Sequence, residues 1–159
     1  RIGFVQAGKY KRDVELLKTA HAPFTAVPMQ RAVAAFMDQG GYEKHLRDMR
    51  NHYRHTLSRM RQILVEAFPR ETGVMHPNGG FLLWVELPKE LDSALLAKNA
   101  LKQGISVAPG MLFSPSNAFD HGLRLNGGRL WSASIQSSLE TLGELTREMC
   151  DGLKSCCFD

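Results

Sequence analysis

Apolar residues recur at steps of three and four along the middle of the chain, and this spacing predicts a long amphipathic helix over 42–68. About 26 residues at about 1.5 Å each would give a helix about 39 Å long. Pro69 is expected to end it. The predicted apolar stripe consists of Tyr42, Leu46, Met49, Tyr53, Leu57, Met60, Leu64 and Ala67.

The part of the chain before this helix is predicted to hold a strand and two short helices. The apolar residues within 1–8 predict a short buried strand, and 13–20 has the composition of a short helix. A second helix is expected to begin near Pro28, with Thr25 as its N-cap, and to end or kink at Gly40-Gly41. We therefore expect a mainly helical N-terminal segment.

After Pro69, short apolar runs alternate with helical patterns, which predicts a small β-sheet covered by helices. Asp92 or Ser93 is expected to cap a helix that continues to Lys102, and Ser132 to cap a last helix. The predicted fold class is α/β, with a long helix preceding the sheet. Strands are predicted at 72–76, 81–87, 105–108 and 123–125.

Composition excludes several classes of protein. The 159 residues are 43% apolar and 23% charged, as in ordinary globular domains, and the formal net charge is +4. No apolar run approaches the roughly 18 to 20 residues of a membrane span. The chain shows no signal-peptide pattern, and because it begins with Arg1 and not with Met, we expect a fragment or a processed product. The odd set Cys150, Cys156 and Cys157 suggests neither a disulfide framework nor a zinc site, so a reducing cytoplasm is expected.

Two motifs resemble ligand sites only superficially. The Asn-Gly-Gly-Phe segment at 78–81 lacks the Lys-Ser/Thr of a P-loop and leads into a strand, so a hairpin turn is favoured. His45, His52 and His55 share the long helix but lie off its apolar stripe, without an HExxH arrangement. Solvated histidines are therefore favoured over metal ligands.

The long helix is basic, with six cationic and three acidic residues over 42–68. Such a face could bind the phosphate backbone of a nucleic acid. A solvated face, or one that pairs with a missing partner, is the favoured interpretation. The cationic residues are Lys44, Arg47, Arg50, Arg54, Arg59 and Arg61.

Arg124 is the strongest candidate for a binding residue. It lies between Leu123 and Leu125 in a predicted strand, so its side chain should point to the face opposite theirs. A guanidinium group suits bidentate binding of a carboxylate or phosphate. The alternative is that Arg124 lies in an edge strand with its side chain in water, since the same sequence pattern would result. Arg1, next to Ile2, is a second candidate for binding a carboxylate or phosphate.

Five segments, in order and spacing, resemble the C-terminal half of fold-type I aminotransferases, the enzymes of class I and II that depend on pyridoxal 5′-phosphate. Within that class, the block at 45–53 and the Leu-Arg-Leu-Asn segment with Trp131-Ser132 most resemble MocR-type regulators. Those are GntR-family transcription factors in which a winged-helix DNA-binding domain is fused to an aminotransferase-like domain. The segments are RIGFV at 1–5, QGGYEKHLRDMRNHY at 39–53, PNGGFLLWVELP at 77–88, GISVAPGMLFS at 104–114 and LRLN at 123–126.

The resemblance implies roles for two residues. Arg1 matches the arginine that binds the phosphate of pyridoxal 5′-phosphate, and Arg124 matches the arginine that binds the substrate α-carboxylate. No catalytic residue and no metal ligand is implied in this chain. The Schiff-base lysine belongs upstream of Arg1, so Lys9, Lys11 and Lys18 do not match it.

The resemblance also implies a division of the chain. Residues 1–22 would be the tail of the large cofactor-binding domain, 23–68 the connecting helices and 69–159 the small C-terminal domain. The expected intact parent is a homodimer.

Three functions fit these features. The first is the effector-sensing half of a MocR-type regulator, in which an amino acid or amine bound at the cofactor alters DNA binding through an N-terminal domain. The second is a fragment of a stand-alone amino-acid aminotransferase that depends on pyridoxal 5′-phosphate. The third is a basic helical module that binds nucleic acid. The chain alone is expected to be inactive, because the lysine is absent.

Overall fold

The computed structural model describes residues 2–155. They divide after Asp48, within the long helix, into two compact units. The helices are α1 (Lys11–His21), α2 (Val27–Asp38), α3 (Gly41–Ala67), α4 (Ser93–Lys102) and α5 (Ala133–Ser155). The strands are β1 (Gly73–Val74), β2 (Leu82–Glu86), β3 (Ala108–Pro109) and β4 (Gly122–Asn126). Short 3-10 helices lie at Gly8–Tyr10, Gly110–Phe113 and Asn117–Phe119.

The strand predicted within 1–8 was wrong for its described part. Residues 2–7 form no strand, and the side chain of Phe4 is 94% exposed. A strand needs a partner for its backbone groups, and residues 2–48 contain no other strand that could pair with it. Arg1 lies outside the described residues.

The predicted N-cap of α2 was also wrong. The helix begins at Val27, so the capping position falls on Ala26, which offers no side-chain acceptor. Thr25 instead accepts a hydrogen bond at its carbonyl oxygen from the side-chain amide of Gln30, at 3.1 Å. Pro28 lies in the first turn as predicted, where its missing N–H costs nothing.

The long helix α3 confirms the periodic pattern. Gly40 precedes it with a positive φ of 74°, a conformation that glycine adopts without strain, and so separates α2 from α3. Over the part of α3 that belongs to the second unit, Leu57, Met60 and Leu64 are buried. The apolar stripe therefore faces a core.

The four strands form one antiparallel sheet in the order β1-β2-β4-β3. A turn through Gly80, which has a positive φ of 78°, leads into β2, so 78–81 is a turn before a strand as predicted. The third strand lies later than the predicted 105–108. Ile105 and Val107 pack against the core without joining the ladder, and Pro109 lies in β3 at the edge of the sheet, where its missing N–H is tolerated.

One face of the sheet forms the core of the second unit. Leu83 and Val85 of β2 and Leu123 and Leu125 of β4 are buried, and they belong to one cluster with apolar residues of α3, α4 and α5. Both predicted caps in this unit are confirmed. The carboxylate of Asp92 accepts the N–H groups of Ala94 at 2.7 Å and Leu95 at 3.3 Å, and the hydroxyl of Ser132 accepts the N–H of Ile135 at 3.3 Å.

Candidate functional site

Arg124 lies at the centre of β4, between β2 and β3. Its directly paired residues are Trp84 on β2 and Ala108 on β3, so these three side chains project from the same face of the sheet. That face is opposite to the buried Leu123 and Leu125, as the sequence predicted. The guanidinium group of Arg124 is therefore on the side of the sheet away from the core.

The side chain of Arg124 is half-buried and has no ionic partner in the part of the chain that the structure describes. Within residues 2–155 no carboxylate pairs with it and no oxygen accepts its N–H groups. A guanidinium group has five N–H donors in a fixed plane. Half-buried donors without partners are available to an anionic ligand, and a carboxylate or a phosphate fits their fork.

One aromatic ring contacts Arg124, and two more rings follow from it. The Cζ atom of Arg124 lies over the ring of Phe113, 4.6 Å from its centroid, in cation–π contact. The indole of Trp84 meets the ring of Phe113 edge to face, with centroids 5.8 Å apart and planes at 75°. Phe119 also meets the indole edge to face, with centroids 5.5 Å apart and planes at 78°. We call Phe113, Trp84 and Phe119 the aromatic chain.

Two glycines make room for the aromatic chain. A Cβ atom at Gly122 would overlap the six-membered ring of Trp84, and a Cβ atom at Gly110 would overlap the carbonyl oxygen of Phe119. The buried N–H of Gly110 donates to the hydroxyl of Ser93 at 3.3 Å, which holds the start of the 3-10 helix at 110–113. The segment that carries Phe113 and Phe119 can therefore lie against the sheet only because these positions lack side chains.

The other residues singled out from the sequence do not join Arg124. Arg1, the candidate for the cofactor phosphate, lies outside the described residues, as do Cys156 and Cys157. His52 is half-buried and its Nε2 atom lies 3.2 Å from the carbonyl oxygen of Arg129, whereas His45 and His55 are exposed. Within residues 2–155, no three His, Cys, Asp or Glu side chains are grouped to hold a metal ion.

The basic residues of α3 that lie in the second unit make few contacts. Arg59 lies over the ring of Trp131 at 5.5 Å, and Arg54 donates to the side-chain oxygen of Asn51 at 3.2 Å. Arg50 is exposed, whereas Arg61 is half-buried and its Nε atom is buried without a hydrogen-bond partner in the described part of the chain. The predicted solvated face therefore holds for Arg50, Arg54 and Arg59 but not for Arg61. None of the helices in the described part of the chain is long and apolar enough to cross a bilayer.

Sequence reasoning found Arg124 but not its aromatic surroundings. Phe113 lies between the strands predicted at 105–108 and 123–125, and no periodic pattern marks it. The sequence offered one indication of its importance: the Gly-Met-Leu-Phe segment at 110–113 is among the segments that resemble aminotransferases. The pairing of Trp84 with Arg124 depends on the register of β2 and β4, which the sequence alone does not specify.

The chain is similar to proteins of known family. Residues 1–126 match the family model described as aminotransferase class I and II. The HTH-type transcriptional regulators YdcR and YjiR of Escherichia coli are 34% and 35% identical over 93% and 91% of the chain. The crystal structure of kynurenine aminotransferase from Pyrococcus horikoshii, in complex with PMP, superposes with a TM-score of 0.77 at 28% identity and covers 87% of the chain. This chain spans only about a third of each relative: 32% of YdcR, 31% of YjiR and 34% of the kynurenine aminotransferase.

Proposed function

Because the chain belongs to the class I and II aminotransferase family, we propose that it is the C-terminal part of the effector-sensing domain of a MocR-type transcriptional regulator. In the intact protein, an amino acid bound next to pyridoxal 5′-phosphate would change the affinity of a separate N-terminal domain for DNA. The similarity to YdcR and YjiR over more than nine-tenths of the chain supports the regulator. A cytoplasmic, homodimeric parent is part of the same proposal.

The main support for a binding function is that the N–H groups of Arg124 donate to no acceptor in the described part of the chain. Its half-buried guanidinium fits the carboxylate of an amino acid, because both groups are planar and of opposite charge. When bound, pyridoxal phosphate supplies an electron sink for the bonds at the α-carbon. The part played by this chain is to bind and orient the carboxylate through Arg124. The role of Arg1 at the cofactor phosphate rests on the family resemblance.

The division of the chain follows from the same proposal. Residues 1–22 would complete the large cofactor-binding domain, 23–68 would connect the domains and 69–159 would form the small domain. The lysine that carries the cofactor would lie in the two-thirds of the parent outside this chain, so the chain alone would not catalyse a reaction. Lys9, Lys11 and Lys18 would not bind the cofactor.

A stand-alone aminotransferase is the second candidate, and the likeness to the kynurenine aminotransferase structure favours it. The two candidates differ in what an amino acid does to the intact protein. In the regulator it changes DNA affinity and is released unchanged. In the enzyme it leaves as a keto acid. An assay for keto acid, run beside a DNA-binding titration on the same protein, distinguishes them.

Two cofactor derivatives test the role of Arg124 without knowledge of the natural effector. N-(5′-phosphopyridoxyl)-L-alanine and N-(5′-phosphopyridoxyl)ethylamine differ only in the carboxylate. Calorimetric titration of the intact, cofactor-free protein gives a Kd for each, and we define their ratio as the carboxylate preference. Arg124→Gln removes the charge, and Arg70→Gln, at an exposed position of the same unit, is the matched control.

We expect wild type and Arg70→Gln to bind the alanine derivative much more tightly than the ethylamine derivative. Arg124→Gln should lose about 2 to 4 kcal/mol of that difference, or about 30- to 1,000-fold, because a charged hydrogen-bonded pair is lost. Its affinity for the ethylamine derivative should not change. An unchanged carboxylate preference in Arg124→Gln would contradict the proposed role.

A further inference from the structure

Phe113 is the residue that contacts the guanidinium group of Arg124 most directly in the described part of the chain. We propose that Phe113 is a positioning residue, whose ring holds the guanidinium plane so that its N–H edge faces a bound carboxylate. This inference rests on the proposed function, since it concerns the same arginine. It adds a residue whose effect on the ligand passes through Arg124.

The contact leaves the donors of Arg124 unused. The ring of Phe113 lies against the central Cζ atom, with 4.6 Å from that atom to the ring centroid. A phenyl ring carries no oxygen or nitrogen acceptor, so this contact commits none of the five N–H groups of the guanidinium to a conventional hydrogen bond. The ring therefore restricts the side chain and leaves its donors available to a carboxylate.

Phe113 is itself held in place through Trp84. The indole meets Phe113 edge to face at 5.8 Å, and Trp84 is also the residue directly paired with Arg124 across β2 and β4. Phe113 therefore contacts both residues of one cross-strand pair, Arg124 and Trp84. These two contacts fix the ring relative to the backbone of β4, which carries the arginine.

The far end of the aromatic chain is also fixed. Phe119 covers Trp84 at 5.5 Å, and the indole occupies the space left by the missing side chain of Gly122. The position of Phe113 is thus determined by several contacts rather than by one.

Phe113 lies outside the core of the second unit. It is 39% exposed, whereas Leu83 and Leu123 on the opposite face of the sheet are fully buried. The contact with the guanidinium group of Arg124, and not burial among core residues, therefore accounts for the place of its ring.

The test uses the carboxylate preference of the intact protein. Phe113→Leu keeps the apolar bulk and removes the π face, and Phe113→Tyr keeps the π face. The expected loss of preference in Phe113→Leu is about 3- to 30-fold, the range of cation–π contacts expressed as affinity. Phe113→Tyr should retain the wild-type preference. Leu112→Ala, at a 67% exposed neighbour, is the control and should also retain it.

The outcomes distinguish a positioning role of Phe113 from a purely structural one. A wild-type preference in Phe113→Leu, or an equal loss of affinity for both derivatives, would overturn the positioning role. If Phe113→Leu does not fold, Phe113→Met is measured in its place and decides in the same way. Loss of preference in Arg124→Gln but not in the Phe113 variants would overturn this inference and leave the proposed function standing. Retention of the preference in Arg124→Gln would overturn both.

Discussion

Gly143 of α5 packs directly against the backbone of Ala67, the last residue of α3. A Cβ atom at position 143 would overlap the carbonyl group and the side chain of Ala67. Gly143 is buried, although glycine is among the poorest helix formers. The close approach of the two helices therefore requires glycine here, at a cost in helix propensity.

This relationship predicts opposite effects for two substitutions in α5. Gly143→Ala should destabilise the intact protein by about 1 to 3 kcal/mol, because the added methyl group forces the helices apart. Gly152→Ala, whose Cβ atom would meet nothing within 4 Å, should be neutral or stabilising by up to about 1 kcal/mol. Urea denaturation measures both. A Gly143→Ala variant as stable as wild type would show that the helices adjust freely.

The same end of α3 depends on Arg147. A guanidinium N–H of Arg147 donates to the carbonyl oxygen of Ala67 at 2.7 Å, and the last carbonyl groups of a helix have no partner within it. Arg147→Met should cost about 1 kcal/mol in the free energy of unfolding. Glu148→Gln, at the exposed neighbouring position, should change it little. Equal stability of the two variants would assign no role to the hydrogen bond.

The N-cap of α4 gives a third prediction. Asp92→Ala removes the acceptor of two N–H groups and should lower the free energy of unfolding by about 0.5 to 2 kcal/mol. Asp92→Asn keeps a side-chain oxygen and should retain most of that stability. If thermal unfolding gave the same loss for both variants, the charge of Asp92 rather than its capping bond would be responsible.

Gly122 links the sheet to the aromatic chain. Gly122→Ala should displace the indole of Trp84, and with it Phe113, because the added methyl group occupies the space of the ring. We expect a change in tryptophan fluorescence and a reduced carboxylate preference. Gly79→Ala, where a Cβ atom has no neighbour within 4 Å, is the control. A wild-type spectrum and preference in Gly122→Ala would show that Trp84 does not depend on this glycine.

Patterns with a clear period predicted the fold well. The stripe on α3 predicted Leu57, Met60 and Leu64 as core residues, and capping chemistry placed Asp92 and Ser132 at the starts of α4 and α5. These signals are local and repeat along the chain. The predicted strand within 1–8 failed because an apolar run does not specify a pairing partner.

The candidate site was predictable only in part. Alternation along β4 placed Arg124 on the face away from the core, since its neighbours are leucines. The contact of Arg124 with Phe113 joins a residue of a strand to the last residue of a 3-10 helix that precedes it in the chain. Contacts of that kind depend on register and on close approach at Gly110 and Gly122, which no local pattern encodes.

By the proposed function, this chain is part of a domain that binds pyridoxal 5′-phosphate on a lysine outside it. Loading the intact parent protein with the cofactor, reducing it with borohydride and mapping the peptides by mass spectrometry tests this directly. We expect one phosphopyridoxyl group, on a lysine upstream of Arg1, and none on Lys9, Lys11 or Lys18. A reduced protein without the group, or with it on a lysine of this chain, would contradict the claim.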